Sequence, residues 1–111
     1  MAKYENVING EFELFSNDLH RHVMSSGTSM ELVEESNYKI GNSKITLKVY
    51  DKYFFRTNGR ASLSVTIVSE ANQIFIAAIS AGGREGFIGI SFGVESELID
   101  IVRNYVEKYP V

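Results

Sequence analysis

Lys44-Ile45-Thr46-Leu47-Lys48-Val49-Tyr50-Asp51-Lys52-Tyr53-Phe54-Phe55-Arg56 alternates between two characters. The even positions carry the cations Lys44, Lys48, Lys52 and Arg56, with Thr46, Tyr50 and Phe54 between them. The odd positions are Ile45, Leu47, Val49, Asp51, Tyr53 and Phe55. Successive side chains on a strand point to opposite faces. The pattern therefore predicts a strand whose odd residues face a core and whose even residues form a basic, aromatic-studded working surface. It does not point to a reaction.

Working outward, β signals fill the middle of the chain. We expect strands over Lys3–Ile8, Thr28–Ile40, Ser43–Arg56, Ala61–Ser69, Gln73–Ala81 and Gly86–Phe92. Their breaks, Gly41-Asn42, Asn58-Gly59, Ala71-Asn72 and Gly82-Gly83, are hairpin turn signals, which make sequential neighbours antiparallel. At Asn58-Gly59 the choice of loop sets the register. A two-residue loop pairs Leu63 with Phe54. A three-residue loop with Gly59 left-handed pairs Leu63 with Phe55 and Val65 with Tyr53, so the odd faces agree. A one-residue slip turns a whole apolar set outward, and we expect the three-residue loop. This choice leaves Asp51 pointing inward unless a β-bulge near Asp51-Lys52 re-aims it.

Two amphipathic patterns bracket the strands. Phe12, Phe15, Leu19 and Val23 form one stripe of a helix over Glu11–Ser26, with Asn9 as its cap and Gly27 ending it left-handed. Val94, Leu98, Ile101, Val102, Tyr105 and Tyr109 share a face of a second helix over Val94–Lys108, stopped by Pro110. The predicted class is α+β: β-α-β(4-5)-α, an antiparallel meander with both helices packed on one face, in a single domain spanning residues 1–111. Leu63, Val65, Ile67, Leu98, Val102, Phe15 and Leu19 are expected in one core.

With 111 residues and 44% hydrophobic content, the chain is long enough to bury a core without a metal or disulfide. It has no cysteine, which excludes thiol chemistry and zinc–thiolate sites. The start, Met1-Ala2-Lys3-Tyr4-Glu5, lacks the apolar run of a secretory signal, and no stretch approaches a membrane span. We expect a cytoplasmic protein without a membrane partner. The net charge of −3 works against phosphate neutralisation, so no nucleic-acid partner is expected.

Met1-Ala2-Lys3-Tyr4, Ile8-Asn9-Gly10, Ser62-Leu63-Ser64-Val65-Thr66 and Ala78-Ile79-Ser80-Ala81-Gly82-Gly83 give the chain a resemblance to a small bacterial family of unknown function. That resemblance implies no activity. The order of elements also resembles the TATA-binding-protein-like and helix-grip architectures, and fold likeness alone does not set function.

Candidate chemistry is sparse. His20 and His22, two apart on a helix, face different directions. A metal site would need carboxylates such as Asp18 or Glu13, and no metal or cofactor is expected. Ser80-Ala81-Gly82-Gly83-Arg84-Glu85-Gly86 lacks the P-loop lysine and reads as a hairpin tip. No nucleophile elbow supports a Ser/His/Asp triad, and no catalytic residues are assigned. Asp51 reads as a carboxylate that escapes to water. Lys44, Lys48, Lys52 and Arg56 form a candidate anion-binding surface, set against the simpler role of lysines in guarding an edge.

Two helices of ~10 Å cover the width of a five- or six-stranded sheet on one face only. Strand Gln73–Ala81 is apolar on both faces. The uncovered face is therefore the expected interface of a non-enzymatic homo-oligomer, most simply a dimer. Phe75 or Ile79 is its anchor, with Ala77, Ser64 and Thr66 alongside, Tyr50 and Phe54 at the rim, and Ile76 the anchor if the strand phase is reversed. The alternative is a carrier holding an apolar small molecule between helices and sheet. An enzyme ranks third.

Overall fold

The computed structural model describes residues 2–27, 29–55, 58–82 and 93–109. The elements are β1 (Ala2–Asn9), α1 (Phe12–Met24), β2 (Met30–Ile40), β3 (Ser43–Phe54), β4 (Gly59–Glu70), β5 (Gln73–Gly82) and α2 (Val94–Glu107). The strands form one antiparallel sheet in the order β1-β5-β4-β3-β2. The expected strand Gly86–Phe92, the tip residues Arg84 and Glu85, and Arg56 and Pro110 lie outside the described residues.

Both helices pack on the same face. Phe15, Leu19 and Val23 of α1 and Val94, Leu98, Ile99, Val102 and Val106 of α2 join Leu63, Val65 and Ile67 of β4 and Ile74, Ile76 and Ala78 of β5 in one core. The seven core residues expected from the sequence are all in it, each at most 3% exposed. Helix α1 is capped by Glu11 rather than Asn9, which is the last residue of β1. The Glu11 carboxylate accepts the N–H of Leu14 at 2.9 Å and of Glu13 at 3.1 Å, closing two of the helix's free donors. Gly27 is not among the residues with positive φ. The end of the Lys52 side chain lies against it, 2.3 Å from where a Cβ would sit, so a larger residue there would push the Lys52 ammonium aside.

Strand β3 has the opposite phase to the expected one. It pairs with β4 from Lys44 opposite Ser69 to Phe54 opposite Gly59, so Leu63 lies opposite Tyr50. The loop is longer than either considered, and its left-handed residue is Asn58, not Gly59. The even residues thus face the helices. Thr46, Tyr50 and Phe54 are buried there, and Tyr50 and Phe54 are core residues, not the rim of the uncovered face. The physical reason is that lysine is amphipathic. Lys44, Lys48 and Lys52 can lay their methylene stems along the inner face while their ammonium groups reach polar partners: Glu13 for Lys44, Glu35 and Thr46 for Lys48, and Ser29 for Lys52. Asp51 has no such stem. In the observed phase it sits on the open face and accepts a hydrogen bond from Arg60.

No bulge interrupts β3. The register shift lies on its neighbour, between Leu32 and Glu34 of β2. Before it, Met30 and Leu32 pack against the core. Beyond it, the extra residue Val33 reverses the alternation, and Glu35, Asn37 and Lys39 lie on the helix face opposite Lys48, Thr46 and Lys44. One bulge thus changes the inner face from apolar to polar.

Leu63→Ala should lower unfolding stability by about 2–5 kcal/mol in urea titrations, because a fully buried side chain leaves a cavity. Leu47→Ala, on the open face of β3, should cost under about 1 kcal/mol in the isolated chain.

Candidate functional site

Two surfaces carry unusual side-chain content. The first is a cleft of about 550 Å³ between the outer flank of α1 and the β2–β3 hairpin. Helix α1 contributes Phe12, Glu13, Ser16 and Asn17, and the hairpin contributes Glu35, Asn37, Lys39, Lys44 and Lys48. Its floor is a connected polar network. Thr46 Oγ1 donates to Asn37 Oδ1 at 2.6 Å, and Asn37 Nδ2 donates to Glu35 Oε2 at 3.0 Å. Lys48 Nζ lies 3.5 Å from the same Glu35 oxygen and 3.4 Å from Thr46 Oγ1. The Asn37 amide, then the Lys48 charge, hold the Glu35 carboxyl below its usual range. Lys44 lies 3.7 Å from Glu13 Oε2 and over the Phe12 ring.

At the inner end of this network stand His20 and Tyr50. Their rings stack, and His20 Nδ1 is 2.8 Å from the Tyr50 hydroxyl. Burial pushes the Tyr50 hydroxyl pKa well up, so the phenol keeps its proton, and which group donates in the hydrogen bond to Nδ1 follows the imidazole tautomer. His22 points away, toward Tyr105 of α2. Sequence reasoning separated the two histidines correctly but did not find the partner of His20, because the tyrosine that engages it was assigned to the far face.

Of the four cations expected to bind an anion, the cleft brings together Lys44 and Lys48. Lys52 lies toward the other end of β3, over the Phe54 ring and 3.5 Å from Ser29 Oγ. Arg56 is outside the described residues. Lys39, which the sequence did not single out, takes their place. The signal was available: across the Gly41-Asn42 turn, Lys39 is the partner of Lys44. Among the described residues no group of three or more His, Asp or Glu is arranged to hold a metal ion. No helix there is long and apolar enough to cross a membrane.

The second surface is the open face of the sheet. Phe75, Ala77 and Ile79 of β5 lie on it with Ser64 and Thr66 of β4, while Ile76 is in the core. Register aligns one apolar row across all five strands: Val7, Phe75, Val68, Ile45 and Tyr38. A parallel row runs Lys3, Ile79, Ser64, Val49 and Glu34. Phe75 is 37% exposed and Ile79 40%.

Burial, then the charge of Lys48, holds His20 below its ordinary value of 6.5, against a smaller opposing effect of Glu35. The unfolded chain therefore takes up the proton first as the pH falls. The stability tied to neutral His20 is complete above the unfolded value, declines as the pH drops below it, and is gone once the pH has fallen through the lower folded value. His20→Gln should reduce the loss of unfolding free energy between about pH 7.5 and about pH 5.5 in urea titrations. In the native protein, NMR should show the His20 ring titrating below 6.5.

A comparison with curated proteins finds no match. The profile of a family of unknown function, DUF6054, matches residues 1–110. The match spans every described strand and helix, the cleft and the open face, and the chain belongs to the DUF6054 family.

Proposed function

We propose that this domain is a non-enzymatic interaction module that pairs with a second copy of itself through the open sheet face. The observation that supports this most directly is the apolar row from Val7 to Tyr38, which neither of the described helices covers. Exposed contiguous apolar surface of this kind marks interaction sites.

Symmetry favours a second copy as the occupant. β4 is the middle of the five described strands. A two-fold axis along β4 would lay β1 of one copy over β2 of the other and each cross-strand row on itself. Phe75 then meets Ile45, Val7 meets Tyr38, and Lys3 meets Glu34 with opposite charge. Five strands at about 4.8 Å and seven residues at about 3.4 Å make a face of roughly 550 Å². The pair would bury about 1,100 Å², just above the lower limit for a specific interface. Sheet twist turns such faces by about 30°, which keeps the central strands in contact and spreads the corners.

The carrier reading has less support. Between helices and sheet, Leu19, Leu63, Ile76, Leu98 and Val102 are at most 1% exposed and fill the space an apolar ligand would take. On architecture, the described β-α-β(4)-α order favours the TATA-binding-protein-like arrangement over the helix-grip one.

Sedimentation equilibrium should give a dimer mass for the wild type. Phe75→Lys and Ile79→Lys should each shift it toward monomer with an unchanged circular dichroism spectrum, since each removes about 1.5–3 kcal/mol of apolar burial per copy. Lys3→Glu should weaken the dimer, and Lys3→Glu/Glu34→Lys should restore it. A wild type that is monomeric at high concentration, or lysine variants at the wild-type mass, would refute the interface.

A further inference from the structure

We infer that the cleft between α1 and the β2–β3 hairpin is a binding site for a small anion with a phosphate or carboxylate head, held by Lys39, Lys44 and Lys48. The lysines project from the face of the sheet opposite the proposed interface, and the site is complete in one copy of the chain, although Tyr38 and Ile45 of the apolar row also line the cleft.

Three observations carry the inference. The first is Lys39 opposite Lys44. Like charges directly across an antiparallel pair destabilise it, and here both project from the helix face of the hairpin. Lys39 has no ion-pair partner among the described residues. Among the described residues Lys44 has one ion pair, with Glu13 at 3.7 Å, where the Glu13 side chain is 62% exposed, and the Glu11 carboxylate feels its charge from farther off. An ion pair that exposed holds the lysine weakly. An anion bridging the two ammonium groups turns the repulsion into attraction.

The second is Lys48. Its side chain is only 12% exposed, yet its contacts with Glu35 and Thr46, at 3.5 and 3.4 Å, exceed the usual 2.7–3.2 Å of N–H···O bonds. An ammonium has three donors. A largely buried cation with two long contacts retains the capacity to donate strongly to a ligand oxygen. As a purely structural element, an ion pair of this kind is rarely better than apolar residues of the same volume.

The third is shape. The three lysines line one concavity of about 550 Å³, within the range of small-molecule sites. Asn17 on α1 and Asn37 on β2 also line it and can orient a second polar group. Phe12 gives the ligand an apolar wall. Glu13 and Glu35 set the specificity. They repel a bare excess of negative charge, so the cleft suits one head group and not a polyanion such as nucleic acid.

The test is an NMR titration of the ¹⁵N-labelled chain at low ionic strength. The probes are inorganic phosphate and benzoate, with sodium chloride at matched ionic strength as control. Saturable shifts confined to residues of α1 and the β2–β3 hairpin around the cleft, absent with chloride, are expected for at least one probe. Preference for phosphate assigns a phosphoryl ligand, and preference for benzoate an organic carboxylate. Lys39→Gln, an exposed change at the hairpin end, should weaken binding by about tenfold, the loss of one charge-assisted hydrogen bond. Shifts that do not saturate with either probe, that map outside the cleft, that chloride reproduces, or that Lys39→Gln leaves unchanged would overturn the site. Because Phe75→Lys leaves the cleft intact, binding in that variant separates failure of this site from failure of the sheet-face interface.

Discussion

Tyr50 fixes the sheet. Its ring is 1% exposed, it lies opposite Leu63, and its hydroxyl meets His20 of α1. Burying such a ring contributes about 1.5–3 kcal/mol, and the hydrogen bond removes the cost of hiding the hydroxyl. Sliding β3 by one residue would expel Tyr50, Thr46 and Phe54 together and set the Asp51 carboxylate against the core. The two faces of β3 are therefore decided as a unit. The polar cleft exists because the lysines share a face with Tyr50, and the open apolar row exists because Ile45 shares the other.

The strong periodicities of this chain were legible in its sequence. Phe15, Leu19 and Val23 recur at helical spacing, and Leu63, Val65 and Ile67 alternate cleanly with Ser62, Ser64 and Thr66, so the helices, the meander and the core of β4 follow directly. β3 was ambiguous because both of its faces are amphipathic. Counting lysine as polar made Ile45-Leu47-Val49 look like the buried set. Weighing lysine as a long apolar stem with a charged end reverses the outcome. Asp51 was the discriminating residue: a short carboxylate is far harder to place in a core than a lysine stem. The Val33 bulge left no comparable trace, since Glu34-Glu35-Ser36-Asn37 is polar on both phases. The cleft, which depends on that bulge, was legible only in its lysines.

Placing anchors and cations on opposite faces has a consequence for how the two proposed surfaces relate. β2 and β3 supply residues to both. Tyr38 and Ile45 belong to the open row, while Lys39 and Lys44 are their immediate neighbours in sequence and point the other way. The hairpin is an edge of the sheet, and its outer part extends past the helix cover, since Asn37 and Lys39 are exposed even on the helix face.

Such an extension has few buried contacts of its own, and local opening is cheapest where contacts are few. Pairing of two copies would clamp this hairpin from the open side, and an anion would clamp it from the helix side by relieving the Lys39–Lys44 repulsion. Each event would order the same strands, so whichever came second would find part of the ordering already done. That would be positive coupling through conformational entropy, without any displacement of the core. Linkage makes it reciprocal: an anion that strengthens pairing must bind the dimer more tightly than the monomer, by the same factor.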